Sequence, residues 1–220
     1  MFPISDIIPS RTRPVVTISL IALNTLAFLY QLQLDDALSR QLVWELGVIP
    51  AQFSYGDVVT SMFLHGDFLH FLGNMVFLWI FGDNVEDRLG HAWFALFFIG
   101  AGGAAAMAQV FADPTSLTPM IGASGAIAGV MGVYFLLYPQ SRILTAVFLV
   151  VFLDVIEIPA IFFLGVWFLL QLLHGAMSPG GEGGGVAFWA HAGGFAAGIL
   201  VGLYMRMRDQ HHRDYWRGVT

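Results

Sequence analysis

Six long apolar runs alternate along the chain with segments rich in Gly, Pro and charged residues. Each run approaches the roughly 20 residues that a helix needs to cross the hydrocarbon core of a bilayer. The pattern therefore predicts six transmembrane helices, most of them joined by short connections. The expected spans are residues 15–32, 67–83, 92–112, 123–138, 159–177 and 187–205.

A seventh apolar segment, residues 143–153, is only about half as long as a bilayer crossing requires. The acidic residues Asp154 and Glu157 follow it. A seventh span would also place the arginine-rich end of the chain outside, against the positive-inside rule. We interpret the segment as re-entrant or interfacial, on the cytoplasmic side of the membrane.

The distribution of arginine predicts the orientation of the bundle. Arg11 and Arg13 precede the first span, four arginines follow the last, and six spans leave Arg40 as the only one of the nine outside. Both termini are therefore expected in the cytoplasm. The predicted organisation is one membrane domain over residues 1–220, with a cytoplasmic segment 1–14, an extracytoplasmic first loop at about 33–66 and a cytoplasmic tail at about 206–220.

The composition agrees with an all-α, polytopic membrane protein. Hydrophobic residues make up 57% of the chain, charged residues 11%, and the mean hydropathy is +0.74. Six spans and their connections use all 220 residues, which leaves no room for a second soluble domain. The absence of cysteine excludes disulfides and thiolate metal sites, and a net charge of −6 without lysine excludes nucleic acid as a partner.

Polar side chains gather at one depth of the predicted bundle. The second, fourth and sixth spans run in the same direction, so their N-terminal ends share one level. His70 and Asn74 lie four residues apart in the first turns of the second span, on one helical face. Ser124 opens the fourth span, and His191 lies about one turn into the sixth. Polar groups are costly inside a bilayer, so this convergence indicates a functional site.

Ser124 and His191 carry the hydroxyl and imidazole groups that serine hydrolases use as nucleophile and general base. At the start of a helix, Ser124 lies beside free N–H groups and the positive end of the helix dipole, which favour an anionic oxygen. The Ser124 amide, His70 and Asn74 are suitable donors to an oxyanion. No acidic residue is obvious beside His191, so we predict a Ser/His dyad rather than a triad.

Small residues recur along the fourth and sixth spans and predict that these helices pack closely. Close packing would bring Ser124 and His191 together, although they are 67 positions apart. The small residues are Gly125, Gly129 and Gly132 in the fourth span, and Ala190, Gly194, Gly198 and Gly202 in the sixth.

These motifs closely resemble the rhomboid family of intramembrane serine proteases, over nearly the whole chain. Residues 122–125, Gly-Ala-Ser-Gly, are similar to the family's nucleophile motif. Ala190-His191, followed by Gly194 and Gly198, is similar to its base-bearing helix. The order and spacing of the family's second helix are reproduced by His65, His70, Asn74, Glu86, Arg88 and Gly90.

The resemblance implies a six-helix bundle that admits a single-pass substrate helix sideways and cleaves it near the outer membrane surface. It implies no metal, ATP or organic cofactor, and its partners are single-pass membrane proteins and lipid. A prokaryotic plasma membrane is the expected location. The implied roles are Ser124 as nucleophile, His191 as general base and later acid, His70 and Asn74 as oxyanion donors with the Ser124 amide, and Glu86, Arg88, Gly125, Gly194 and Gly198 as structural residues.

The resemblance departs from the family pattern at two places. The first loop lacks the family's Trp-Arg pair, and position 128 is Ala where some relatives carry an aromatic side chain that stacks on the catalytic imidazole. The residue that orients His191 is therefore not predicted.

Two other functions fit parts of the pattern. A non-catalytic rhomboid-like protein would bind and escort membrane helices, although such proteins typically lack the nucleophile or the base. A metal-dependent enzyme would use His65, His70 and His191 as ligands. The chain has no His-Glu-x-x-His motif, which disfavours this second alternative.

Overall fold

The computed structural model describes residues 2–149, 152–177 and 187–217. Within these ranges the chain forms eight α-helices, three β-strands and a 3₁₀ turn at Pro50–Gln52. The helices are α1 (Val15–Gln31), α2 (Asp36–Leu46), α3 (Tyr55–Ser61), α4 (Phe68–Leu89), α5 (His91–Ala112), α6 (Ser124–Leu137), α7 (Ala160–Met177) and α8 (Phe188–Arg217). The strands are β1 (Phe2–Asp6), β2 (Arg142–Leu149) and β3 (Phe152–Pro159).

The prediction of an all-α membrane bundle is confirmed, because six apolar helices occupy the six predicted spans. Among the described residues, α4, α5, α7 and the part of α8 from Phe188 to Asp209 are long and apolar enough to cross a membrane. Helices α1 and α6 are apolar but shorter, with 17 and 14 residues. The predicted first loop contains α2, the 3₁₀ turn and α3.

Helix α6 lies at the centre of the bundle. Every residue from Gly125 to Tyr134 is buried, and the helix packs against α4, α5, α7 and α8. A helix that is apolar on all sides belongs in a core, and one surrounded by protein need not match the thickness of the bilayer. Its 14 residues span about 21 Å, against about 33 Å for the 22 residues of α5. Ser124, the first residue of α6, therefore lies inside the bundle.

Helices α6 and α8 approach each other backbone to backbone, as the glycine pattern predicts. A Cβ atom added at Gly194 would lie 2.0 Å from the carbonyl oxygen of Gly125. One added at Gly198 would lie 1.9 Å from the carbonyl oxygen of Gly129. Since no side chain fits at either position, glycine is required for the distance between the two helices.

Buried Glu86 on α4 holds the start of α1. Its carboxylate accepts hydrogen bonds from the backbone N–H groups of Val16 and Thr17 at 2.8 and 2.7 Å, and from the Thr17 hydroxyl at 2.7 Å. These N–H groups have no acceptor within α1 itself. The ring of His91 also contacts the Glu86 carboxylate.

Helix α4 continues to Leu89, beyond the predicted end of its span at residue 83. The acidic side chains of this last part find partners in the segment before α1 rather than only in solvent. Ser10 donates to Asp83, and the backbone amides of Arg11 and Thr12 donate to Asp87. The predicted boundary was wrong because these polar residues belong to a helix end that other parts of the chain cover.

The last helix is also longer than its predicted span, and residues of the predicted tail from 206 to 217 belong to it. Arg88 at the end of α4 forms an ion pair with Asp209, and Met205 is buried. The ion pair ties the first turn beyond the predicted span to the bundle. Residues 218–220 lie outside the described part of the chain.

The interpretation of residues 143–153 as a re-entrant or interfacial segment did not include a β-strand, which residues 142–149 form. Strand β2 pairs antiparallel with β3, and β1 from the start of the chain pairs antiparallel with β2. Ile143, Thr145 and Val147 are β-branched and alternate with residues that are not branched at Cβ, and β-branched residues favour a strand. Residues 150 and 151, between β2 and β3, lie outside the described part.

Asp6, at the end of β1, packs against the end of the bundle opposite to Ser124. Its carboxylate accepts a hydrogen bond from the Tyr134 hydroxyl on α6. Burial raises the pKa of the Asp6 carboxyl to about 6, and the nearby Asp83 acts in the same direction. A carboxyl group whose pKa is raised by folding stabilises the folded state most at low pH, and this contribution is lost as the pH rises through 6.

Replacing Asp6 by asparagine is therefore expected to raise the midpoint of thermal unfolding at pH 8, where the wild-type carboxylate carries a partly buried charge. Asparagine keeps an acceptor for Tyr134 and stays neutral. At pH 5 the difference from wild type is expected to shrink, because Asp6 is then mostly protonated. The measurement is thermal unfolding in detergent at both pH values, with Asp154→Asn on exposed β3 as the control. A gain that is equal at pH 5 and pH 8 would contradict this prediction.

Candidate active site

The structure brings the two predicted chemical groups into direct contact. Ser124 is the first residue of α6, and His191 lies in the first turn of α8. The Ser124 Oγ and His191 Nε2 atoms are 2.7 Å apart, a hydrogen-bond distance. The close approach of α6 and α8 at their glycines sets this separation. As the first helical residue, Ser124 has a backbone N–H without an acceptor inside α6.

His191 makes a second hydrogen bond, to a residue that the sequence analysis missed. Its Nδ1 atom lies 2.7 Å from the Oε1 atom of Gln171 on α7. Because an amide oxygen can only accept, Nδ1 carries the ring hydrogen and Nε2 presents its lone pair to Ser124. Gln171 is the only polar side chain in the apolar run 160–173, and that isolation was the available signal.

Trp167, one turn before Gln171, packs beside the imidazole. The ring centroids of Trp167 and His191 are 5.8 Å apart and the rings are tilted by 40°. Position 128 is Ala, so α6 offers no aromatic neighbour at that point. Helix α7 therefore supplies both the hydrogen-bond acceptor and the aromatic side chain that hold His191 in place.

His70 and Asn74 lie on α4 next to the turn before Ser124. Gly122 in that turn has a φ of +113°, and a Cβ atom there would lie 2.7 Å from His70 Nε2 and 3.4 Å from Asn74 Nδ2. Glycine is thus required at position 122 both for its backbone conformation and for the approach of His70. The Asn74 Nδ2 atom is buried and has no acceptor among the described residues, so it can donate to a bound group.

These residues line part of a cavity of about 780 Å³. The side chains that line it are apolar, apart from a small polar group that includes His70, Asn74, Ser124 and His191. Such a combination is typical of binding sites. Residues 118–121 form part of the wall, and Met120 pairs through its backbone with Val48 of the first loop.

The Rhomboid domain matches residues 52–208, about 70% of the chain. This range contains the Ser124, His191, His70 and Asn74 side chains. The chain belongs to the rhomboid family. It is a membrane protein, as the family and the apolar helices together indicate.

Curated relatives of this rhomboid come from bacteria, fungi and plants. It is 29% identical over 164 residues to rhomboid protein 1, mitochondrial, of Saccharomyces cerevisiae, covering 72% of this chain and 44% of the relative. It is 33% identical over 127 residues to a putative rhomboid protease of Bacillus subtilis, covering 56% and 62%. With RHOMBOID-like protein 5 of Arabidopsis thaliana it shares 24% identity over 161 residues, covering 70% and 45%. The chain thus matches between 44% and 62% of the length of these relatives.

His65 of the rhomboid lies beside the cavity but not in it. His65 is only 3% exposed, and its ring packs against Phe28, Phe71 and His70. Burial lowers the pKa of His65 to about 4, and neighbouring His70 acts in the same direction. His65 is therefore neutral near pH 7, and its backbone amide and carbonyl are both bound by the Gln31 side chain.

The alternative of a metal site at His65, His70 and His191 gains no support from the geometry. Across residues 2–149, 152–177 and 187–217, no three His, Asp or Glu side chains are placed to hold one metal ion. Each nitrogen of His191 is already 2.7 Å from another side chain. The polar groups of the site instead form a chain from Gln171 through His191 to Ser124.

Proposed function

We propose that this rhomboid is an intramembrane serine endopeptidase that cleaves single-pass membrane proteins near the outer membrane face. The observation that carries the proposal is the 2.7 Å contact between Ser124 Oγ and His191 Nε2 at a helix N-terminus, inside a cavity of the bundle. A hydroxyl nucleophile within hydrogen-bond reach of a base that a third group orients is the arrangement that nucleophilic catalysis needs.

In the proposed reaction, Ser124 Oγ attacks the carbonyl carbon of the substrate while His191 Nε2 accepts the hydroxyl proton. The carbonyl oxygen becomes an oxyanion, which the Ser124 amide, Asn74 Nδ2 and His70 stabilise by hydrogen bonds. His191 then donates its proton to the leaving amine, and an ester to Ser124 remains. Water hydrolyses this ester, with His191 acting as base once more.

The proposed substrates are single transmembrane helices that unwind locally at the cut. A regular helix hides its carbonyl groups in internal hydrogen bonds, so a cleavable segment must be extended where it meets Ser124. The arginine distribution supports a bundle with both termini in the cytoplasm. We propose a plasma membrane location, most simply the inner membrane of a prokaryote; the mitochondrial relative makes a mitochondrial membrane the competing compartment.

The proposal is tested with purified protein in lipid vesicles and a panel of tagged single-span substrates. Mass spectrometry of the fragments is expected to place the cut near the outer end of the substrate span. A fluorophosphonate probe, which reacts with activated serines, is expected to label Ser124 in wild type and not in His191→Ala. Substrates that bind but are never cut, together with no labelling, would overturn the protease and favour a helix-binding escort.

Replacing Gln171 by leucine is expected to lower kcat by about 10- to 100-fold and to leave KM unchanged. The His191 Nδ1–H would lose its acceptor, and the imidazole would no longer be held in the tautomer that accepts from Ser124. Gln171→Glu would place a carboxylate beside the ring and favour the imidazolium, so the acid limb of the pH–rate profile should move to higher pH.

The measurement is the pH dependence of kcat for wild type, Gln171→Leu and Gln171→Glu. Gln109→Leu, which removes a glutamine from α5 instead, is the matched control and is expected to keep the wild-type profile. A Gln171→Glu profile that coincides with wild type would show that Gln171 does not act through His191.

A further inference from the structure

A second cavity, of about 500 Å³, lies at the end of the bundle opposite to Ser124. The segment before α1 and the ends of α4 and α6 form its walls together with α8. Arg11, Arg88 and Arg206 line it, each from a different one of these elements. No step of the proposed cleavage uses these residues. We call this cavity the arginine cleft.

The acidic groups of the arginine cleft already have partners. Asp87 accepts hydrogen bonds from the backbone amides of Arg11 and Thr12 at 2.6 and 2.8 Å. Asp209 forms an ion pair with Arg88. The guanidinium groups of Arg11 and Arg206 have no hydrogen-bond acceptor among the described side chains. The cleft therefore presents two guanidinium groups to whatever enters it.

Asn84 supplies a further unmet hydrogen-bonding group. It lines the arginine cleft, is only 1% exposed, and donates from Nδ2 to the carbonyl oxygen of Ile8 at 3.1 Å. Its Oδ1 atom has no donor among the described residues. A buried acceptor without a donor is costly, which indicates that a donor belongs there. The cleft thus offers guanidinium groups for an anion and one carbonyl oxygen for a hydroxyl or ammonium group.

We propose that the arginine cleft binds a phosphate group whose substituent carries a hydroxyl or ammonium donor. Guanidinium groups bind phosphate oxygens through paired hydrogen bonds, and Asn84 Oδ1 accepts from the substituent. The headgroup of phosphatidylglycerol and free glycerol 3-phosphate both have this chemistry. The arginine-rich ends of the chain place the cleft on the predicted cytoplasmic side, where anionic lipids attract basic residues. The bound group joins the segment before α1 to α4 and α8, so binding stabilises the fold.

Thermal unfolding of delipidated protein in a neutral detergent tests this site. Short-chain phosphatidylglycerol is expected to raise the midpoint by about 5 °C at concentrations near 100 times the dissociation constant. Short-chain phosphatidylcholine, which lacks both net charge and donor, is expected to have little effect. A shift with glycerol 3-phosphate as well assigns the site to free phosphate esters, whereas a shift with the lipid alone assigns it to headgroups. If neither phosphatidylglycerol nor glycerol 3-phosphate raises the midpoint, the proposal is overturned.

Two pairs of variants test whether these residues make the site. Arg11→Gln with Arg206→Gln removes the two guanidinium groups of the cleft and is expected to abolish the shift. Arg13→Gln with Arg208→Gln removes the same charge from positions two residues away that do not line the cleft, and this pair is expected to retain the shift. An equal loss of the midpoint shift in both pairs would mean that the ligand is attracted to positive charge in general, and it would refute a specific cleft. Arg206→Gln alone repeats the test if the first pair unfolds without ligand.

Discussion

Replacing Ser124 by alanine is expected to lower kcat for a single-span substrate by about 10⁴-fold or more. The variant loses the oxygen that attacks the carbonyl in the proposed reaction, and no other hydroxyl is hydrogen-bonded to His191 among the described residues. Alanine is smaller than serine and leaves the cavity wall unchanged, so substrate binding should persist. The measurement is single-turnover cleavage of a labelled substrate in vesicles, with binding followed separately by energy transfer.

His191→Ala is expected to lower kcat by a similar factor. The kcat of the double variant should be little lower than that of either single variant, because the two residues act as one unit. Ser19→Ala on α1 removes a hydroxyl that bonds only to its own helix, and it should retain full activity. If Ser124→Ala kept a tenth of the wild-type rate, the nucleophile would have to lie elsewhere.

Replacing Gly198 by alanine is expected to destabilise the bundle by about 3 kcal/mol, at the upper end of the usual cost of overpacking. The new methyl group would lie 1.9 Å from the carbonyl oxygen of Gly129, about half of an ordinary contact distance. Since the obstacle is backbone, α6 and α8 must move apart. Activity should also fall at temperatures where the protein remains folded, because the same separation sets the distance between Ser124 and His191.

Denaturant titration in mixed micelles measures the loss of stability, with Gly100→Ala as the matched control. Gly100 lies on α5, and a Cβ atom there has nothing within 4 Å. Alanine is the better helix former, so this variant should be as stable as wild type or slightly more stable. Equal destabilisation of both variants would show that close packing of α6 and α8 is not what Gly198 provides.

The contact between Ser124 and His191 was predictable because its causes lie in the sequence pattern. Apolar runs of bilayer length define the helices, glycines at regular spacing identify the pair that packs closely, and each polar residue sits at a helix start. The partner of His191 was not predictable in the same way. Whether Gln171 faces the bundle or the lipid depends on how α7 is rotated, and an apolar run with one polar residue leaves that rotation open.

The β-sheet was missed for a different reason. The run at residues 143–153 is apolar and short, and periodicity alone does not separate a strand from a buried helix of that length. Strand β3 follows β2 directly, but the other pairing partner of β2, β1, lies about 140 residues earlier in the chain. Such a non-local pairing leaves no signal within the segment itself. The length of the run correctly excluded a seventh span, but it could not identify the alternative.

Water must reach Ser124 through protein, since the hydrocarbon core of a bilayer supplies none. Helix α6 is about 12 Å shorter than α5, and the space above its N-terminus has a volume of about 780 Å³. That space can hold on the order of 20 water molecules. In the proposed cleavage, a substrate segment that fills this space expels the water that hydrolysis of the ester consumes. Turnover would then depend on how soon the released fragment leaves, so hydrolysis of the ester, rather than its formation, becomes the step that is sensitive to fragment size.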